Sequence, residues 1–168
     1  DKAREAFLRL EEGDANARKI WQLAVEVSMR EFEEIYKKLE VSFENMNGES
    51  VYEKEMPQIV EDLKDKGIAV EGERGAWIIK FEKDGKEYMP VAMLLKSDGT
   101  TTYLTRDIAT IGKRLVEEKL KADLYIYEVG SEQKLHFRQV FDIAKRLWPE
   151  ETRDIELVHV AHGLLTLP

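Results

Sequence analysis

Two short apolar runs constrain the fold most: ADLYIYEVG at 122–130 and IELVHVAHGLL at 155–165. Each is rich in β-branched, aromatic and leucine side chains and has glycine near its end, the pattern of a buried strand. Between them, Ser131 can cap a helix carrying Val140, Ala144 and Leu147. An earlier helix is marked by Ile108, Ile111, Leu115 and Leu120. Helix, buried strand, helix, buried strand is the rhythm of a parallel α/β sheet. Ligands on such sheets sit beyond the carboxyl ends of the strands. Those ends here are Gly130-Ser131-Glu132-Gln133 and His162-Gly163.

The rest of the chain adds helices and a different kind of sheet. Residues 14–39 carry the longest helical pattern, with Asp14 as N-cap and apolar residues three or four apart. Trp21, Phe32 and Tyr36 fall on that spacing and are expected in a core. A short strand is expected near Val41–Phe43, then a loop through Asn47-Gly48. Met56 to Lys66 reads as a helix with Pro57 in its first turn and Gly67 at its stop. Residues 68–103 hold two Asp-Gly turns and three β-rich runs, which predicts a small antiparallel insertion. The chain opens inside a helical pattern and stops just after a strand, so it is expected to be a piece of a larger protein.

Composition removes several classes of function. There are no cysteines, so disulfides and thiolate metal sites are excluded and a reducing cytoplasm is the natural setting. No apolar run reaches the roughly 18 residues that span a bilayer, and the charged start lacks a signal-peptide core. The formal net charge of -8 repels phosphate backbones, so little or no nucleic-acid binding is expected of this segment alone. The three histidines lack metal-ligand spacing with carboxylates, and no metal site is expected.

DGTTTYLTRDIA, residues 98–109, is the segment most open to a chemical reading. In one reading Thr100–Tyr103 is a strand, Thr105 caps a helix, and Asp107 is a first-turn acid favoured by the helix dipole. In the other, the Asp107 carboxylate and the Tyr103 ring form a cation site. A carboxylate accepts two parallel N–H bonds from a guanidinium, and a ring face attracts the charge. Gln133 either faces water or accepts from a substrate amine, and His136 lies one turn further on. His159 reads as a hydrogen-bonded core histidine. His162-Gly163 reads as a strand end, or as a place where backbone approaches a flat base. Glu49, in NGES, is a loop acid or a second carboxylate facing the same cation.

Taken together, GDANARKIWQLAVEVSMREFEEIYKKLEV (13–41), NGES (47–50), KSDGTTTYLTRDIA (96–109), YEVGSEQKLHFRQVF (127–141) and VHVAHGL (158–164) resemble the class I arginyl-tRNA synthetases. The resemblance implies an α/β fold: a partial Rossmann-type parallel sheet with flanking helices and a small antiparallel insertion at 68–103, residues 1–168 forming one fragment of a catalytic domain. It implies Tyr103 and Asp107 at the substrate guanidinium, Gln133 near the α-amino group, and Glu49 as a further acid of the arginine pocket. It places His136, His162, Gly163 and Leu164 beside ATP. L-arginine, ATP with Mg2+ and tRNA are the implied substrates, with no tightly bound cofactor, no membrane and a cytoplasmic setting. The His-Ile-Gly-His-like and Lys-Met-Ser-Lys-like signatures do not occur in the sequence. The isolated fragment is therefore expected to be inactive, and its open sheet to favour self-association. Two other readings remain: a non-catalytic arginine-sensing module, and a small α/β domain docking through its charged helices.

Overall fold

The computed structural model describes residues 2–117 and 122–163, Glu49 and Glu117 by backbone alone. The chain divides into two compact units, one ending at Met46 and the other beginning at Asn47.

The first unit is a helical hairpin, α1 (Lys2–Glu11) and α2 (Ala15–Lys38). Asp14 caps α2 as its residue type predicts, its Oδ1 accepting from the Ala17 amide at 2.8 Å. The expected strand at Val41–Phe43 does not form. Instead α2 closes on Glu40 at φ 55, with the Val41 amide donating to Tyr36 O and the Glu40 amide to Lys37 O. That is the Schellman pattern, with a left-handed residue other than glycine. The Phe43 ring then packs edge-on to Tyr36, centroids 4.8 Å apart. The expectation of a buried α2 stripe also fails: α2 buries no residue, Trp21, Phe32 and Tyr36 included. Periodicity identifies the apolar face of a helix but supplies nothing to cover it.

The second unit holds the core. An antiparallel sheet in the order β1 (Ala69–Glu71), β2 (Trp77–Lys83), β3 (Lys86–Leu95) occupies the segment expected to be β-rich. Asp84 and Gly85 turn β2 into β3 with φ of 52° and 72°, the left-handed pair that a two-residue hairpin needs. Helices α3 (Met56–Asp65), α4 (Tyr103–Gly112) and α5 (Lys134–Leu147) supply the other core faces. Leu63, Ile79, Phe81, Leu94, Ile108, Val140 and Ile143 are wholly buried in one cluster. Each such side chain contributes roughly 1.5–3 kcal/mol relative to exposure. Pro57 sits in the first turn of α3, and Gly67 follows it at φ 64.

β4 (Leu124–Gly130) and β5 (Glu156–His162) pair in parallel, from Leu124 opposite Glu156 to Gly130 opposite His162. The α/β architecture read from the sequence is therefore present. The strands are less buried than expected. Leu124, Ile126 and Val160 are exposed, while the alternate residues Tyr125, Tyr127 and Val129 are half-buried. Tyr127 meets Phe137 and Phe141 of α5, with centroids at 5.5 and 5.3 Å. Period-two alternation assigns the two faces to different surroundings.

One ion pair ties α3 to the end of α4. Lys113 Nζ donates to Glu55 Oε1 at 2.5 Å, and this bond holds the Glu55 carboxyl below the usual carboxylate range. A depressed carboxyl stabilises the fold above its unfolded value and loses that contribution as pH falls through its folded value. Lys113→Met should therefore cost about 1 kcal/mol near neutral pH. The difference from the parent should shrink as pH drops through the carboxylate range. Chemical denaturation at several pH values checks both points, and a cost that grows in acid would contradict the assignment.

Candidate functional site: the start of α4 against α5

The site is built from the end of β3 onward. Asp98-Gly99 forms the expected turn: Asp98 Oδ1 accepts from the Thr100 amide at 3.1 Å and the Thr100 hydroxyl at 2.7 Å. Beyond it the expected strand 100–103 reduces to a single bridge, Leu95 to Thr101. Helix α4 starts at Tyr103, two residues before the expected Thr105. Its N-cap is Thr102, and Thr102 and Thr105 form a reciprocal capping box. Thr102 Oγ1 also donates to Met93 O at 2.9 Å, and Thr105 Oγ1 to Leu94 O at 2.6 Å. The hydroxyls thus fasten the first turn of the helix to β3.

This early start changes what Asp107 can be. It lies outside the first turn, which contains no acid. The first-turn role weighed for it from the sequence therefore lapses, and the cap shifts from Thr105 to Thr102. Tyr103 and Asp107 are four residues apart on one helix, so they project from the same face. His136 of α5 joins them. Its Nε2 lies 2.6 Å from Asp107 Oδ2, and its ring centroid is 4.6 Å from that of Tyr103. The histidine side chain is 7% exposed and the aspartate 29%, so the carboxylate is anchored on its buried side and open on the other. Tyr103 is 61% exposed, leaving ring surface for a ligand. Behind the pair, burial pushes the Tyr127 phenol up, and Arg114, with its guanidinium carbon 5.8 Å from the ring centroid, opposes the rise.

The remaining expected residues fall into three groups. Gln133 ends a 3-10 turn, Ser131–Gln133, and is the N-cap of α5. Ser131, expected to cap the helix, opens that turn instead. The Glu132 carboxylate folds back over Gly130, in the space that a Cβ would take. The parallel register sets Gly130 beside His162, which brings the two strand ends together. His162 and Gly163 are exposed there, and Leu164 lies outside the described residues. Glu49 begins a 3-10 turn, Glu49–Tyr52, that packs against α4. His159 takes the structural role expected of it: its Nε2 lies 2.9 Å from Val129 O, and its ring faces Phe137 at 4.7 Å.

The sequence reading missed two features. The Asp107–His136 contact joins residues 29 apart on separate helices, and no local spacing reports it. A cavity of about 360 Å3 also opens beside the pair, lined by Met93, Tyr103, Leu135, His136 and Gln139 among others. Gln139 is buried and donates to Pro90 O at 2.7 Å. A buried amide within a helical apolar pattern signals such a cross-link, although it does not name the partner.

The family model described as tRNA synthetases class I (R), catalytic domain, matches residues 1–166. The arginine–tRNA ligase of Chloroflexus aurantiacus is 39% identical over 168 residues, covering 100% of this chain and 28% of that protein. The arginine–tRNA ligase of Halothermothrix orenii is 41% identical over 170 residues, covering 99% of this chain and 28% of its own length. Among solved structures, arginyl-tRNA synthetase from Plasmodium falciparum superposes with a TM-score of 0.78 at 26% identity, over 95% of this chain and 27% of that one. A putative arginyl-tRNA synthetase from Campylobacter jejuni shares the fold, with a TM-score of 0.68 at 16% identity. The chain belongs to the family of class I arginine tRNA synthetase catalytic domains. It spans 28% of the length of these curated relatives, and so represents a fragment of the catalytic domain rather than the whole of such an enzyme.

Proposed function

We propose that this chain is the arginine-recognising part of an arginine–tRNA ligase. The observation that carries the reading is the Asp107 carboxylate, anchored by His136 on one side and open on the other, one turn from the exposed Tyr103 ring. A planar guanidinium fits such a pair, the carboxylate accepting its N–H groups and the ring facing its charge. Gln133 at the start of α5 receives the α-amino group, and Glu49 adds a second acid. His162 and Gly163 at the end of β5 border the adenosine of ATP.

In the reaction, the arginine carboxylate attacks the α-phosphorus of ATP and pyrophosphate departs. A ribose hydroxyl at the tRNA 3′ end then attacks the arginyl carbonyl of the adenylate, forming the ester while the bond to AMP breaks and AMP and the hydroxyl proton leave. Neither step needs a covalent protein intermediate. Catalysis rests on placing the reactants and neutralising phosphate charge, to which Mg2+ carried with ATP contributes. No general base is assigned. The setting is cytoplasmic, and tRNA is held chiefly by parts of the protein outside these residues.

Calorimetric titration of the full-length protein that carries this chain should show saturable binding of L-arginine. Lysine and the neutral isostere citrulline should bind at least about tenfold more weakly. Equal affinity for arginine and citrulline would remove the carboxylate–guanidinium basis of the proposal.

A further inference from the structure

We infer that His136 is a positioning residue: it donates a hydrogen bond to Asp107 and so fixes the carboxylate in the orientation that receives arginine. The inference rests on the arginine reading above and assigns His136 to that pocket rather than to ATP. A carboxylate only accepts, so in the 2.6 Å contact Nε2 is the donor and Oδ2 the acceptor. The contact leaves Oδ1 uncommitted to the histidine. The imidazole is almost wholly buried, between the Tyr103 ring at 4.6 Å and the Phe137 ring at 5.3 Å, and has little room to move. A single ring therefore touches both residues proposed to hold the guanidinium.

The histidine also connects the two ends of the proposed substrate. It lies on α5 three positions after Gln133, while Asp107 and Tyr103 lie on α4. Fixing α5 against α4 at this point fixes the separation between the amino-group end of the pocket and its guanidinium end. A free aspartate side chain would have to give up rotamer freedom on binding. One already held in place by a buried donor does not, and the donor gains affinity without touching the ligand.

The test is arginine-dependent ATP–pyrophosphate exchange, run throughout with tRNA present, by the full-length protein that carries this chain. Four substitutions are compared: His136→Leu, His136→Gln, His136→Asn and Asp107→Asn. His136→Leu should raise the KM for arginine about tenfold, the scale of one lost charge-assisted bond. The KM for ATP and the kcat at saturating arginine should change less than about twofold. His136→Gln, whose amide nitrogen can occupy the Nε2 position, should recover most of the loss. His136→Asn, whose amide is one carbon too short, should not. If the leucine variant fails to fold, the contrast between Gln and Asn decides. In the Asp107→Asn background, His136→Leu should add less than about twofold, because the charge it orients is already gone.

Equal loss for Gln and Asn would overturn the inference in favour of simple packing. So would full multiplication of the two single losses in the double variant, or a parallel rise in the KM for ATP. The absence of arginine-dependent exchange in the unsubstituted protein would instead sink the proposed function, and this inference with it. That outcome is recognised before any substitution is made.

Discussion

Asp107→Asn is expected to weaken L-arginine binding roughly ten- to hundredfold, the equivalent of a charge-assisted contact of about 1.5–3 kcal/mol. The fold should hardly notice. Asparagine keeps an oxygen where Asp107 accepts from His136 Nε2, so the link between α4 and α5 survives. Because α4 begins at Tyr103, the side chain lies beyond the first turn, where the helix dipole is already weak. Asp107→Ala provides the contrast: it removes both the negative charge and the acceptor, leaving the donor of a buried imidazole unpaired. Affinity should fall as for asparagine, and stability should fall by about 1–3 kcal/mol as well. Titration with arginine and thermal melting of the same proteins separate the two effects. If asparagine and alanine lower the melting temperature equally and neither changes affinity, Asp107 is only a strut between helices.

That pair of outcomes matters because the sequence left the two roles of Asp107 open. Local chemistry was readable where a residue's own backbone preference decides the structure: the cap at Asp14, the Pro57 start, the Gly67 stop and the Asp84-Gly85 hairpin. The alternation of helices and apolar strands was readable too, and the strand ends at Gly130 and His162 do lie side by side. The start of α4 was misread for a specific reason. Three consecutive threonines favour a strand by side-chain shape, and a capping box is usually sought with Glu or Gln at its fourth position. Here Thr105 fills that position, so the helix begins where a strand was expected. The stripe on α2 was legible as a face but not as a core. His136 was legible only as a histidine near a strand end. Its contact with Asp107 is a product of packing between helices, which no spacing within one segment encodes. Motif similarity named Tyr103, Asp107 and Gln133 as candidates without explaining what holds them.

What holds them at the α4 end is testable at Thr105, where the second large effect is expected. Thr105→Val preserves shape and removes only the hydroxyl, at a position that is wholly buried. Two contacts disappear: the 2.6 Å bond to Leu94 O, and the 3.3 Å bond accepted from the Thr102 amide. The first leaves the carbonyl of the buried β3 residue Leu94 to the longer 3.4 Å contact from the Thr102 hydroxyl, a cost of about 1–3 kcal/mol. The second opens half of a capping box, a cost of about 0.5–2 kcal/mol. Because the two share one hydroxyl they do not simply add, and a loss of about 2–3 kcal/mol is expected. Urea denaturation should show a lower midpoint with an unchanged slope. Thr105→Ser, which keeps the hydroxyl and loses one methyl, should cost less than about 1 kcal/mol. Arginine affinity should fall for valine and hold for serine, although the hydroxyl points away from the ligand and into the β3 backbone. The first turn of α4 carries Tyr103 and leads directly to Asp107, so loosening it blurs the position of both. Equal destabilisation by valine and serine would assign the residue to packing, and would leave the placement of Asp107 dependent on His136 alone.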